Sequence, residues 1–225
     1  MKRVVIPELL DTDAGTPREV AGSLADIDTV NQHLGGVKTM TSLLRTVATK
    51  RALKSLSWLD VAGARGGMAA KAVTALAKRG LPVTPVLLDR AASHLSNDTT
   101  AVCGDALQLP FRDGSFDVVG CCLFLHHLEP EEIVGFVNEA LRVARYAVLI
   151  NDLIRHPLHL WMARAGKPIY RSRITRHDAP ASVRRAYTAG EMGEMLRRTR
   201  APQVDISENF FFRMGVVAWK HPNSI

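Results

Sequence analysis

An apolar run that ends in an acid, turns through small residues and opens into a helix constrains this chain more than any other stretch. Ser57-Trp58-Leu59-Asp60-Val61 reads as a buried strand and Ala62-Gly63-Ala64-Arg65-Gly66-Gly67 as a tight turn. Met68 to Arg79 is an Ala-rich amphipathic helix, with Gly80 placed just past its end. Strand, turn and helix make the first half of a βαβ unit. Glycine lets a backbone approach a ligand closely, and a helix N-terminus offers N–H groups that the helix itself leaves unpaired. The stretch therefore predicts a cofactor-binding turn.

From Leu56 onward strands and helices alternate. The pattern predicts strands near 57–61, 83–88, 99–103, 116–123 and 146–151, with helices at 67–79, 90–95 and 130–144. Such alternation predicts an α/β fold: a Rossmann-like, seven-stranded, mostly parallel sheet with helices on both faces. The segment from Gln203 to Trp219 reads as strand, turn, strand. Two strands so close cannot be joined by a parallel crossover, so they form a C-terminal antiparallel hairpin. Residues 1–16 read as an arm. Thr16-Pro17 with Glu19 starts a helix that stops near Gly35-Gly36, and a second helix runs from about Val37 to Leu56. These two are expected to lie over the cofactor as a helical cap. Residues 1–55 are thus assigned to arm and cap and 56–225 to the core, with an insertion at about 153–187 as a lid. The insertion reads as a helix from Leu158 to Ala165 and then a basic irregular stretch containing Pro168 and Pro180. Thr188-Ala-Gly-Glu191 opens a last helix to about Arg198.

Two further acids follow the turn at telling distances. Asp89 ends the second strand, 23 residues after Gly66, where a carboxylate can accept both hydroxyls of a ribose lying on the turn. Asp105, in Cys103-Gly104-Asp105-Ala106, follows the third strand and can accept from an adenine amino group. Leu107-Gln-Leu-Pro-Phe111 and Asp113-Gly-Ser-Phe-Asp117 then lead into the fourth strand.

On these residues the chain resembles the class I S-adenosylmethionine-dependent methyltransferases of small-molecule type, over about Leu56 to Leu153 and the final hairpin. The resemblance implies that Asp60 helps hold the methionine end of the cofactor and that Ala62, Gly63, Ala64 and Gly66 approach it through the backbone. It implies Asp89 with Arg90 at the ribose, and Asp105 with Ala106 at the adenine. The family pattern Asp-x-Gly-x-Gly-x-Gly is altered here, with Ala62 and Ala64 in place of two glycines, which narrows the room for backbone approach. The segments Thr175-Arg176-His177-Asp178 and Arg185-Ala186-Tyr187 resemble methyltransferases found with type III polyketide synthases. By that likeness Arg173, Arg176, His177 and Asp178 are expected to bind an anionic acceptor, the alternative being a solvated basic loop. Asp28-x-x-Asn31 is more loosely similar to the cap of ubiquinone and menaquinone methyltransferases, which puts Asn31 at the acceptor.

In open α/β sheets the ligand sits beyond the carboxyl ends of the strands. The fourth strand ends in Leu123-Phe-Leu-His126-His127 and the fifth in Asn151-Asp152, so these side chains are expected near the transferred methyl. His127 or His126, with Asp152 behind it, is the expected acceptor of a proton from the methyl acceptor. The predicted activity is methyl transfer to an O or C nucleophile of a small, largely apolar phenolic, quinone or polyketide-like molecule. A nicotinamide-dependent oxidoreductase would share the turn and Asp89 but leave Asp60, Asp105 and the hairpin unexplained. A non-catalytic interaction module has only the two alanines in its favour.

Composition narrows the partners. The net charge of +7 comes from 29 basic and 22 acidic residues, without the interleaved aromatics of a nucleic-acid surface. It reads as a basic solvated surface or an attraction to anionic substrates. No apolar stretch approaches the ~20 residues of a membrane span, and the short apolar start is no signal peptide, so a cytoplasmic protein is expected. Cys103, Cys121 and Cys122 have neither disulfide nor metal spacing. They are read as buried thiols, and no metal ligands are assigned.

Overall fold

A computed structural model describes residues 1–95 and 100–221. In it the anticipated capping box starts the first helix, α1 (Pro17–His33): Glu19 N–H donates to Thr16 Oγ1 at 3.3 Å and Thr16 N–H to the Glu19 carboxylate at 2.8 Å. Gly35, at φ +84°, breaks the chain away into α2 (Gly36–Lys50). Then follow β1 (Leu56–Val61), α3 (Gly67–Ala77), β2 (Val83–Asp89), β3 (Ala101–Cys103) and β4 (Phe116–Cys122). The second half contains α4 (Pro130–Val143), β5 (Ala144–Leu153), α5 (Pro157–Ala165), α6 (Arg173–Arg185), α7 (Ala189–Leu196), β6 (Gln203–Asn209) and β7 (Arg213–Trp219).

The seven strands form one sheet in the order β3-β2-β1-β4-β5-β7-β6. Pairings among the first five are parallel, and β7 runs antiparallel to both β5 and β6. Successive strand side chains point to opposite faces, and the burial follows that period. Trp58, Val118, Ala147 and Leu149 meet α2 and α3 on one face. Leu59, Val61, Val119, Cys121, Val148 and Ile150 meet α4 and α7 on the other. Both faces being covered explains why the strands read as continuous apolar runs.

The parallel register aligns the strand ends. Asp60 pairs with Leu87 and Gly120, Asp89 with Cys103, and Cys122 with Asn151. The order of strands reverses between β1 and β4, the crevice where open α/β sheets hold their ligands.

Some local expectations give way to tertiary contacts. The helix expected at 90–95 is a single 3₁₀ turn, Ala92–His94, and the strand expected at 99–103 is seen at Ala101–Cys103, Thr99 lying outside the described residues. The stretch expected to be irregular around Pro180 is the helix α6. An interior proline costs a helix about 3 kcal/mol, which here is outweighed from outside. Asp26 of α1 accepts from Arg171 and Ser172 N–H at 2.9 and 3.1 Å, and Ser172 Oγ caps Ile174 N–H at 3.2 Å. Helix α2 does more than cap: Met40, Leu44 and Val47 are fully buried in the core. Cys103 is exposed rather than buried, because β3 is a three-residue edge strand.

Candidate active site

Beyond the strand ends lies a cavity of about 1020 Å³. The turn after β1 and the ends of β2 and β3 form one wall, and the end of β4 another. α1, α5 and α6 close the remaining sides. A smaller cleft of about 50 Å³ adjoins it between the turn and α1.

The cofactor wall is assembled by one carboxylate. Asp89 accepts from Ala64 N–H at 3.0 Å and from Ala91 N–H at 3.0 Å, tying the turn after β1 to the end of β2. Each of its oxygens keeps a lone pair. Ala62 and Ala64 sit in the left-handed region at φ +57° and +45°. Both alanines thus trace a path that glycine takes without strain, at a cost of roughly 1–2 kcal/mol each. Gly66, at φ +72°, is a true requirement, since a Cβ there would lie 2.7 Å from Leu87 Cδ1. Leu123, at the end of β4, is also left-handed at φ +56°. Backbone strain of this kind collects at functional sites.

Asp60 lines the small cleft with Asp28 and Asn31. Its side chain is buried, and Oδ1 has no hydrogen-bond partner. Burial, helped by the nearby Asp89 carboxylate, pushes its pKa up to about 8. Asp105 and Ala106 line the large cavity together with Arg90, and Asp105 accepts from Leu107 N–H at 2.9 Å. The turn, Asp89, Arg90, Asp105 and Ala106 are therefore brought together as expected. Asp60 stands beside them in the adjoining cleft.

The opposite wall centres on the 3₁₀ turn Leu125–His127. The buried Asp152 lies 2.7 Å from His126 Nδ1 and also accepts from His126 N–H at 3.2 Å. Burial alone would raise the Asp152 pKa, but the imidazole beside it and the Leu153 N–H bring it below the usual value. An ionised Asp152 only accepts, so Nδ1–H is the donor of that bond and Nε2 is left facing the cavity. His127 repeats the arrangement, with Nδ1 3.0 Å from Asp11 Oδ1. Burial opposes the Asp11 charge, and the His127 and Arg185 side chains outweigh it and lower the pKa.

Glu8 and Asp11 went unnoticed in the sequence because nothing local marks them. The arm that carries them is held by α6: Leu9 and Leu10 N–H donate to Asp178 at 2.9 and 3.0 Å, and Val4 N–H to Arg184 O at 3.0 Å. This places Glu8 with Oε1 3.7 Å from His126 Nε2 and Oε2 3.9 Å from His127 Nε2. Burial pushes its pKa up to about 7, against the pull of His127 and of Ser182, whose Oγ–H donates to Oε2 at 2.8 Å.

Apart from Asp178, the expected acceptor-binding residues are placed elsewhere. α6 turns Thr175, Asp178 and Ser182 to the cavity, a spacing of three and four that leaves Arg173, Arg176 and His177 on other faces. Arg173 is spent on Glu19 and Ala14 O, Arg176 on Tyr170 O, and His177 on Asp178 at 2.8 Å. Asn31 lines the small cleft rather than the acceptor wall, and its Oδ1 accepts from the buried Arg213 at 2.9 Å.

Residues 59–147 match the family model described as a methyltransferase domain. Over that segment, which is less than half of the chain, the protein is similar to methyltransferase domains. S-adenosylmethionine is the cofactor of that family. The fold recurs in the plantazolicin methyltransferase BpumL in complex with SAH, at a TM-score of 0.69 and 12% identity over 95% of this chain and 93% of that one. It recurs in the magnesium protoporphyrin IX methyltransferase of Synechocystis PCC 6803 with bound SAH, at 0.51 and 14% over 82% and 81%. The methyltransferase domain of the citrinin polyketide synthase gives 0.53 and 13% over 73% of this chain, which spans 46% of that one's length.

The cavity wall fits this cofactor in the chemistry of its donors and acceptors. S-adenosylmethionine offers an ammonium, ribose hydroxyls and an adenine amino group, all of them donors. The wall offers the accepting carboxylates of Asp89 and Asp105, and beside them the buried Asp60 carboxyl, whose Oδ1 has no hydrogen-bond partner.

Proposed function

We propose that this methyltransferase moves a methyl group from S-adenosylmethionine to an O or C nucleophile of a small, largely apolar acceptor of phenolic, quinone or polyketide-like type. One observation carries the reading: the turn held by Asp89 and the His126–Asp152 pair open into the same cavity of about 1020 Å³. That volume suits a cofactor with an acceptor beside it. Leu10, Leu24, Ile27, Val30, Phe124 and Met162 line it, which favours an apolar body with few polar groups. No helix among the described residues is long and apolar enough to cross a membrane.

When bound, the cofactor supplies an electrophilic methyl on a sulfonium, whose charge disappears on transfer. The protein supplies orientation and a site from which water is largely kept out. Asp60 and Asp89 hold the donor side. His126 takes the acceptor's proton at Nε2, with Asp152 fixing the tautomer and stabilising the imidazolium. His127 and Glu8 complete that wall. Residues 153–187 act as a lid over the acceptor, and the arm and α1 act as the cap.

The test is turnover of labelled S-adenosylmethionine with a panel of phenols, quinones and pyrones. His126→Ala is expected to lose about 10²–10⁴-fold in kcat, the usual contribution of a positioned base, with SAH affinity by calorimetry unchanged. Full turnover in that variant on an accepted substrate refutes the assignment.

A further inference from the structure

His126 and His127 share an arrangement that a base alone does not need. Each gives Nδ1–H to a carboxylate, at 2.7 Å to Asp152 and 3.0 Å to Asp11. Each therefore presents Nε2 to the same third group, Glu8, and the two rings lie side by side with centroids 4.2 Å apart. The ligand atoms of Glu8, His126 and His127 all fall within 4.8 Å of one another, the one such trio of metal-competent side chains found among the described residues. Glu8 is 7% and His126 2% exposed, and Glu8 Oε1 is buried with no hydrogen-bond partner.

At 3.7 Å His126 Nε2 and the Glu8 carboxylate oxygen make no hydrogen bond. Two imidazole Nε2 atoms and a carboxylate facing one another make the donor set of a cation site. In four-coordinate zinc sites the bonds of about 2.0–2.1 Å put ligand atoms roughly 3.3 Å apart, so a trio lying within 4.8 Å must close by at most about 1.5 Å on an edge. Metal-bound histidines characteristically give their other ring N–H to a carboxylate, which orients the ring and raises its basicity. Asp152 and Asp11 occupy that position on both rings.

We propose that Glu8, His126 Nε2 and His127 Nε2 bind a divalent first-row transition ion of the Zn²⁺ kind, with Asp152 and Asp11 as outer carboxylates and the remaining coordination position open to the cavity. Two nitrogens and one oxygen suit such an ion and not Mg²⁺, which takes oxygen ligands in octahedral array. The inference rests on the reading that this wall meets the acceptor. The ion would lower the pKa of an acceptor hydroxyl, whose proton leaves to solvent, so that the loaded protein has no need of a free imidazole as base.

Untagged protein is titrated with ZnCl₂ by calorimetry, and with Co²⁺, whose visible absorption reports a low-coordinate site. One equivalent per chain is expected, undisturbed by excess Mg²⁺. Glu8→Gln and His127→Gln should each weaken binding at least tenfold. Asp11→Asn, which touches only an outer carboxylate, should weaken it by about 10–100-fold. If Glu8→Gln fails to fold by circular dichroism, the partly exposed His127 and Asp11 carry the same comparison. No stoichiometric binding by the unaltered protein, or affinity unchanged in the folded variants, overturns the site. The two readings fail separately. No ion bound while His126→Ala is inactive removes the metal and keeps the base. An ion bound while His126→Ala keeps full turnover keeps the metal site and removes the base.

Discussion

The two ends of the cavity are built on opposite plans. The donor wall is an open edge of backbone. Asp89, half-buried, spends each oxygen on one N–H of a neighbouring loop, and Asp105 is exposed. The acceptor wall is closed and made of side chains, with Glu8, His126 and Asp152 all under a tenth exposed. The first can receive a large polar cofactor because its groups are satisfied and still have lone pairs to give. The second holds charge out of water, which raises the pKa of Glu8 while His126 keeps that of Asp152 low. Such a wall is poised for proton or cation chemistry and not for holding a nucleoside. Losing Asp89 should damage the donor wall alone. Hydrogen bonds to a charged group contribute about 1.5–3 kcal/mol, and Asp89→Ala frees the turn besides removing the ribose acceptor. SAH affinity is expected to fall on the order of 100-fold by calorimetry, with the fold intact by circular dichroism. A change smaller than threefold would mean that the two walls are not divided in this way.

Asp60 blurs the division, because it belongs to the donor side and yet is buried like the acceptor wall. Its pKa rises from 3.8 to about 8 through burial and the nearby Asp89. A group raised on folding contributes stability that is fully present below its unfolded value and lost as pH climbs through the folded one. Denaturant midpoints of the protein should therefore decline from about pH 4 to about pH 8 relative to those of Asp60→Asn, which carries no titrating carboxyl. Parallel pH profiles for the two proteins would show that Asp60 is not carried protonated in the fold.

The donor wall was legible because it lies in order along the chain. Asp60, the turn, Asp89 and Asp105 fall at the ends of consecutive strands, so strand periodicity and small-residue turns locate each one, and parallel register gathers them at one rim. His126, His127 and Asp152 followed by the same logic. Glu8 and Asp11 did not, since the arm reaches the site through contacts with α6, Asp178 among them, some 170 residues further on. In α6 helical spacing turns Arg173, Arg176 and His177 away from the cavity and leaves Asp178, of the four expected there, facing it beside Thr175 and Ser182.

The smallest effect concerns the two alanines of the turn. They were expected to crowd the cofactor, and the backbone instead accommodates them at φ +57° and +45°. An L-residue held there is strained by roughly 1–2 kcal/mol. Glycine relieves that strain but loses about 0.4–1 kcal/mol through its freer unfolded chain. Ala62→Gly and Ala64→Gly should each come out ahead by about 0.5–1 kcal/mol. For a domain of this size that corresponds to a rise in Tm of about 1–4 °C per site. SAH affinity should hold or improve, because the turn already follows a glycine-like path and only the Cβ atoms are removed. A fall in Tm would mean that the alanine methyls support the turn by packing more than their dihedrals cost it, and that the donor wall owes its shape to side chains after all.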